Sequence, residues 1–566
     1  MDPEPGVAGA TSTPTPSLYK SRHVSLQSRI ESIAASSLYE SRHPSQQDVT
    51  SIYKQNRSTS YIMQNQYKIE HESSSLRGPI FPKEPKSPSN KVEMSRPREA
   101  FFVAVVVLAH FMTQAALGQA LAPIDIIAAD FNTRNPGEQS WYIAAYSLTV
   151  GTFILISGRL GDNLGHKRVF AFGYAWFGVW SAFAGFSVYP GKQIFFMVCR
   201  AMQGIGPALL LPNALALFGR AYSPGIRKNI VFSLFGASAP MGYVAGAASG
   251  SLFGQLAWWP WAFWSFGIAC IALSAFSILL IPQQLSERPM HRPSFDWTGS
   301  LLGVIGLVLV NIAWNNGPLY GWGTPHVYFL LIIGLIVLAG FVWTERRAEN
   351  PLLPLHALNS TVGFVLACIA AGWGAFGIWV FYSWRWLEVI RGCTPLSISA
   401  QFAPAVICGL LAAGLTGFLL THTPVSFVMM VSMMAFAAGT IIAGTMPAQQ
   451  TYWTQMFFSV IIMPFGMDMS FPAASLILSN HMPRERQGLA ASLINTVLNY
   501  SISISLGIAG TVETTVIGHD PQPGDLEWGF RCAFYTAISI SALGVVLGAL
   551  YFCRSLIREG WKVMDH

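Results

Sequence analysis

From Ala100 to Cys553 the chain repeats one pattern fourteen times, an apolar run of about 18–25 residues followed by a short polar connection. At 1.5 Å of rise per residue, each run can cross about 30 Å of hydrocarbon as a helix. The pattern predicts an all-α polytopic membrane protein. Composition agrees: only 11% of residues are charged, against about 25% in soluble domains. The 18 tryptophans suit helix anchors at headgroup level. The net charge of +7 does not indicate nucleic acid, because Lys and Arg collect in the connections and form no basic face. The first run begins at Ala100 and is too long for a cleaved signal segment, so it reads as the first transmembrane helix. The seven cysteines lack CxxC or disulfide-framework spacing. No H-E-x-x-H, G-x-S-x-G, Walker loop or His/Asp metal set is visible, so neither an enzyme nor a cofactor or metal is predicted.

Residues 1–98 are rich in Ser, Pro, Gln and charge, cannot bury enough apolar surface to offset their ordering entropy, and are expected to be disordered. They hold a repeat, "SLYKSRHVS" (Ser17 to Ser25) and "SLYESRHPS" (Ser37 to Ser45), and Thr13, Thr15 and Ser87 precede prolines. A regulatory tail phosphorylated by kinases is one reading, and a merely tolerated tail is the other.

Charge bias orients the spans. Connections after even-numbered runs carry Arg159, Lys167, Arg168, Arg220, Arg227, Lys228, Arg288, Arg292, Arg346, Arg347, Arg484 and Arg486, whereas the others carry little beyond Arg134, Lys192 and Arg391. The positive-inside rule then makes both termini cytoplasmic, as an even span number requires. Sequons at Asn56 and Asn359 fall on that side, so glycosylation is not expected. An internal repeat pairs Gly206 and Pro212 with Gly466 and Pro472, and Pro224 and Arg227 with Pro483 and Arg486. Two parallel halves related by a pseudo-dyad along the membrane normal follow. The predicted organisation is a tail (1–98), a six-helix half (99–285), an insertion with helices seven and eight (286–355), a second six-helix half (356–553) and a cytoplasmic tail (554–566). The ninth run is placed at 362–386 and the thirteenth at 488–511.

Three motifs carry a family resemblance. "GRLGDNLGHKRVF", between the second and third runs, resembles the G-x-L-x-D-x-x-G-[RK]-[RK] loop of the major facilitator superfamily. "RAMQGIGPAL" (Arg200 to Leu210) resembles its R-x-x-Q-G-x-G-x-A element, and "GASAPMGYVAG" sits where antiporters carry a Gly-Pro motif. With fourteen spans, the chain is similar to the fourteen-spanner drug:proton antiporters, and most like the fungal aminotriazole-resistance and low-affinity ammonium transporter subgroup.

Each motif has a physical reading. Gly158 and Gly165 permit a tight turn. The resemblance implies that Asp162 caps a helix N-terminus of the opposite half as a conformational gate, a contact of about 0.3–1 kcal/mol, with Lys167 and Arg168 adding charge pairing. His166 stands where the family has Arg; gating that depends on pH between about 6 and 7 is one reading, a solvated histidine without a role the other. Arg200 inside a span costs about 2.5–3.5 kcal/mol to insert and so reads as functional; the resemblance implies a part in proton coupling with Gln203, and snorkelling outward is the alternative. Gly242, Gly246, Gly250 and Gly254 recur every four residues after Pro240, a stripe for close helix approach.

The first run departs from the antiporter pattern, with Gln114 at the acidic position and Gln119 at the Asn position. Gln carries no proton, so another group must serve. Asp468, near the middle of the twelfth run, is the candidate. His110 with Gln114, and Asn495 with Asn499, lie one turn apart and are expected to line a substrate cavity. Arg385 and Glu388 read as a surface pair. The implied function is export of small toxic organic compounds by proton antiport, from a monomer in the plasma or the vacuolar membrane. Its partners are the lipid bilayer, protons and a small-molecule substrate. The alternative is a facilitator for a small polar solute such as ammonium or borate.

Overall fold

In a computed structural model, the described residues are 94–561 apart from 134–135, 190–191, 223–225, 287–295, 349–350, 352–358, 482–486 and 519–523. The tail repeat, its phosphorylation candidates, and Arg134, Pro224, Arg288, Arg292, Pro483, Arg484 and Arg486 lie outside them.

Hydrocarbon offers no partner for a free N–H or C=O, so each span must pair its own backbone as a helix. Among the described residues, fourteen helices are long and apolar enough to cross a membrane. They are α1 (Arg96–Leu121), α3 (Pro136–Leu164), α4 (His166–Phe186), α5 (Gln193–Ala221), α6 (Ile226–Leu256), α7 (Pro260–Leu280), α8 (Trp297–Tyr320), α9 (Pro325–Glu345), α10 (Ser360–Arg385), α12 (Pro404–His422), α13 (Val425–Gly444), α14 (Gln455–His481), α15 (Gln487–Ile517) and α16 (Asp525–Glu559). The short α2 (Ile124–Asp130) follows α1, and α11 (Pro395–Phe402) leads into α12. Side chains start several of them: Asp296 accepts from Gly299 N at 2.7 Å, and Asn359 from Val362 N at 2.9 Å.

The two six-helix sets pack alike. In the first, α1 lies on α6, α3 and α4 on α5, and α4 on α7; in the second, α10 lies on α15, α12 and α13 on α14, and α13 on α16. The sets meet where α3 contacts α15 and where α6 contacts α11 and α12. The extra pair α8–α9 joins through α8, which lies on α15 and α3. Polar bonds tie α8 to α15: Asn315 Nδ2 donates to Ser503 Oγ at 3.1 Å, Ser503 Oγ to Asn311 Oδ1 at 2.9 Å, and Trp314 Nε1 to the Ile504 carbonyl at 2.9 Å. Near Asp130, one buried core takes residues from both sets, among them Leu121, Phe131, Tyr142 and Trp259 with Trp379, Trp384 and Phe402. Near Asp162 the first set has a core of its own, built on Phe102, Tyr174, Phe218, Tyr222 and Ile281. The halves are therefore sealed together at the Asp130 end.

The glycine stripe is a backbone-to-backbone seam. A Cβ on Gly242 or Gly246 would collide with the carbonyls of Phe111 or Ala115, and one on Gly250 would lie 2.6 Å from that of Gln119. The two series step together, four residues at a time, along α6 and α1.

Four boundaries differ from the sequence reading. Gly158 makes no turn and does not end the second span: α3 runs through it to Leu164, and the turn is made by Gly165 alone at φ 96°. Span nine continues past Arg385 as a π-helical turn, Trp386–Ile390, while α15 reaches Ile517 and α16 spans Asp525–Glu559. In each case polar letters end the apolar run but not the helix.

Candidate functional site

The polar turn between α3 and α4 is held from three sides. His166 is buried, 3% exposed. Its Nδ1 lies 2.7 Å from Asn213 Oδ1 on α5, and its Nε2 lies 3.3 Å from Asp162 Oδ1. Asn213 turns its oxygen to the ring because its amide nitrogen donates to the Leu209 carbonyl at 2.7 Å and to Ser157 Oγ at 3.2 Å. Each ring nitrogen thus faces an acceptor, and the reading of His166 as solvated is overturned. Gly161 is required here, since a Cβ would collide with both Asn213 and His166. Lys167 Nζ donates to the Ile281 carbonyl at 2.6 Å, a cation on the C-terminal end of α7. Arg168 is exposed. Asp162, with half its side chain exposed, also pairs with Arg220 at 3.7 Å. The connection before α15, the helix of the opposite half, lies outside the described residues.

Arg200 is fully buried in α5, which overturns snorkelling. Its Nε donates to the Tyr142 carbonyl at 2.9 Å, Nη2 to the Ala116 carbonyl at 3.0 Å, and Nη1 to Gln203 Oε1. Gln203 Nε2 donates to Ser181 Oγ at 2.5 Å, and the guanidinium lies 4.6 Å from the centre of the Tyr146 ring. One side chain therefore ties α1, α3 and α5, and through Gln203 also α4. None of the ion pairs among the described residues supplies Arg200 with a carboxylate.

Asp468 sits at a seam between the halves. Its Oδ2 is buried without a hydrogen-bond partner and points at Gly409 of α12, where a Cβ would lie 3.0 Å from it and 2.5 Å from Cγ of Pro240 on α6. Pro240 thus touches the opposite half, while the glycines that follow it face α1. The other polar candidates separate. His110 Nδ1 lies 2.9 Å from the Phe235 carbonyl, with its ring stacked on Phe235. Gln119 is buried, with its amide nitrogen unpaired, under Gly250, and Gln114 is half-buried. Asn499 Nδ2 donates to the Asn495 carbonyl at 2.9 Å, and its Cβ packs on Gly151 of α3. These groups lie on separate helix contacts rather than around one point.

Arg385 and Glu388 are not on the surface. Arg385 is 6% exposed, and its Nη1 reaches Asp125 Oδ1 of α2 at 2.5 Å and Glu388 Oε2 at 3.8 Å. Tyr382 OH donates to Glu513 Oε2 of α15 at 2.6 Å. The signal for this group is an Arg and a Glu three positions apart among five aromatic residues, "WVFYSWRWLE", with Glu513 just beyond the apolar part of its helix. Ser181 and Asn213 carried a weaker one, as single polar letters in apolar runs.

The profile of the Major Facilitator Superfamily matches residues 103–506 and 362–562. The chain belongs to that superfamily. A low affinity ammonium transporter of Saccharomyces cerevisiae is 54% identical over 474 residues, covering 82% of this chain and 91% of that protein. Efflux pump terJ of Aspergillus terreus is 42% identical, covering 81% and 89%, and the aminotriazole resistance protein of S. cerevisiae 38%, covering 81% and 85%. The superfamily fold also appears in the crystal structure of the POT family transporter PepTSo, at a TM-score of 0.60 with 14% identity, covering 82% of this chain and all of that one. The superfamily member described here is a multi-pass membrane protein and a transporter, as the sequence resemblance implies.

Proposed function

We propose that this transporter exports small organic compounds by alternating access, driven by proton entry, with both termini in the cytoplasm of a plasma-membrane protein. The observation that carries the reading is Asp468. Its unpaired oxygen lies against the α6–α12 contact, a surface that must rearrange when the halves rock, so binding or losing a proton there changes the energy of the contact. The efflux pump and resistance protein among its relatives support export. In sealed vesicles with an imposed pH gradient, Asp468→Asn is expected to abolish the gradient-driven part of substrate flux; unchanged gradient-driven flux refutes the assignment.

A second reading, facilitated passage of a small polar solute such as ammonium, is favoured by the 54% identity to the ammonium transporter and by Gln114 in place of an acid. It predicts ammonium flux that follows its own gradient and is indifferent to Asp468→Asn.

Asp162 acts in this scheme as a gate. An ion pair this exposed is worth about 0.2–1 kcal/mol, so Asp162→Asn is expected to slow conformational exchange about two- to fivefold while leaving equilibrium substrate binding unchanged. Stopped-flow quenching of tryptophan fluorescence alongside a binding isotherm separates the two; turnover equal to the parent's removes the role.

A further inference from the structure

At the Asp130 end a buried ionic group spans the junction of the halves. Arg385, on α10, is paired with two carboxylates from two elements, Asp125 on α2 at 2.5 Å and Glu388 on the π turn at 3.8 Å, while Glu513 on α15 accepts from Tyr382, three residues before Arg385. The neighbouring charged groups are Arg531 and Glu527 of α16, paired with each other at 2.8 Å, with the Arg531 guanidinium 5.0 Å from the centre of the Trp386 ring. One guanidinium against two carboxylates leaves one negative charge in excess, and Glu388 and Glu513 are 11% and 4% exposed. Two atoms in the group have no hydrogen-bond partner: Glu388 Oε2, and Nε of Arg385, a side chain more than nine-tenths buried. Asp125, by contrast, is 38% exposed and open to the medium at this end.

We infer that Glu388 is a proton-binding site whose occupancy decides whether Arg385 is held by Asp125, and so whether the halves stay closed at the Asp130 end. With a proton on Glu388, the guanidinium keeps Asp125 as its charged partner across the junction, at the 2.5 Å seen here. When the proton leaves, the carboxylate formed on the same helix competes for Arg385 and releases Asp125. The closed arrangement binds the proton more tightly, so by linkage acid closes this end and rising pH opens it. The inference rests on the transport reading for its use, since proton loading that closes one end is what antiport requires. It is separate from Asp468, which lies on α14.

The test places spin labels at Tyr189→Cys and Trp453→Cys, exposed positions at this end of the two halves, with Cys393, Cys408, Cys532 and Cys553 replaced by serine. Inter-label distances are measured in nanodiscs without substrate, at about pH 5.5 and about pH 8.5. The parent distance is expected to lengthen by several ångströms as pH rises. Glu388→Gln is expected to hold the short distance at both pH values. Asp125→Asn, at a partly exposed position that tolerates the change, is expected to give the long distance at both. A parent distance independent of pH, or a parent-like response in Glu388→Gln or in Asp125→Asn, overturns the inference. Because the readout needs no substrate, it stands or falls apart from any flux measurement: a pH response without proton-driven export sinks the antiport reading and leaves the gate.

Discussion

Arg200→Met should leave the protein folded and stop it transporting. Three charge-assisted hydrogen bonds, at about 1.5–3 kcal/mol each, leave with the guanidinium. Against that loss stands the cost of holding a cation in the membrane interior with no carboxylate beside it, several kcal/mol on its own. The two sums nearly cancel. Two of the acceptors, the Tyr142 and Ala116 carbonyls, are helical backbone and lose little when Arg200 goes. The melting temperature in detergent should therefore move by only a few degrees. Transport should fall at least about 100-fold, equivalent to about 2.7 kcal/mol, because α1, α3 and α5 lose a side chain that hydrogen-bonds them together. Arg200→Lys should fail almost as badly, since a single ammonium cannot span the fork that reaches three helices. Parent-like flux in Arg200→Met would reduce this residue to a packing element.

Gly246→Leu should have the opposite profile and lose the fold itself. The Ala115 carbonyl occupies the space a Cβ would need, and neither backbone can yield without parting α1 from α6 along the whole seam. Overpacking of ordinary cores costs about 1–3 kcal/mol. Here the obstruction is main chain and the alanine Cβ already meets it, so alanine is expected at the top of that range and leucine well beyond it. Size-exclusion profiles and thermal melts give the order: parent, then Gly246→Ala, then Gly246→Leu with little monodisperse protein. The companion Gly236→Ala, where a Cβ meets nothing within 4 Å, should behave as parent.

The bundle was legible because apolar length and charge bias are one-dimensional signals. The number of spans and the glycine seam follow from letters a few residues apart, whereas the burial of Arg200, as against snorkelling, needs the packed helices. What could not be read were side chains whose meaning depends on a distant partner. Glu513 looks like a loop residue until Tyr382, more than a hundred positions away, donates to it. Arg385 and Glu388 look like a surface pair until α2 folds over them with Asp125. His166 stands out in the sequence as a departure from the family pattern, yet its burial depends on Asn213, which no local motif marks. Gln119 shows the converse: aligned with a family position, it lies under Gly250 in the seam.

The uninterrupted run of α3 has a mechanical consequence. Its 29 residues form a rod about 43 Å long, pivoted at the Gly165 elbow. A tilt of about 5° there sweeps the opposite tip through about 4 Å. A small displacement at the Asp162 turn is thus geared up, without any hinge between, into a shift at the far face large enough to pull side chains out of contact.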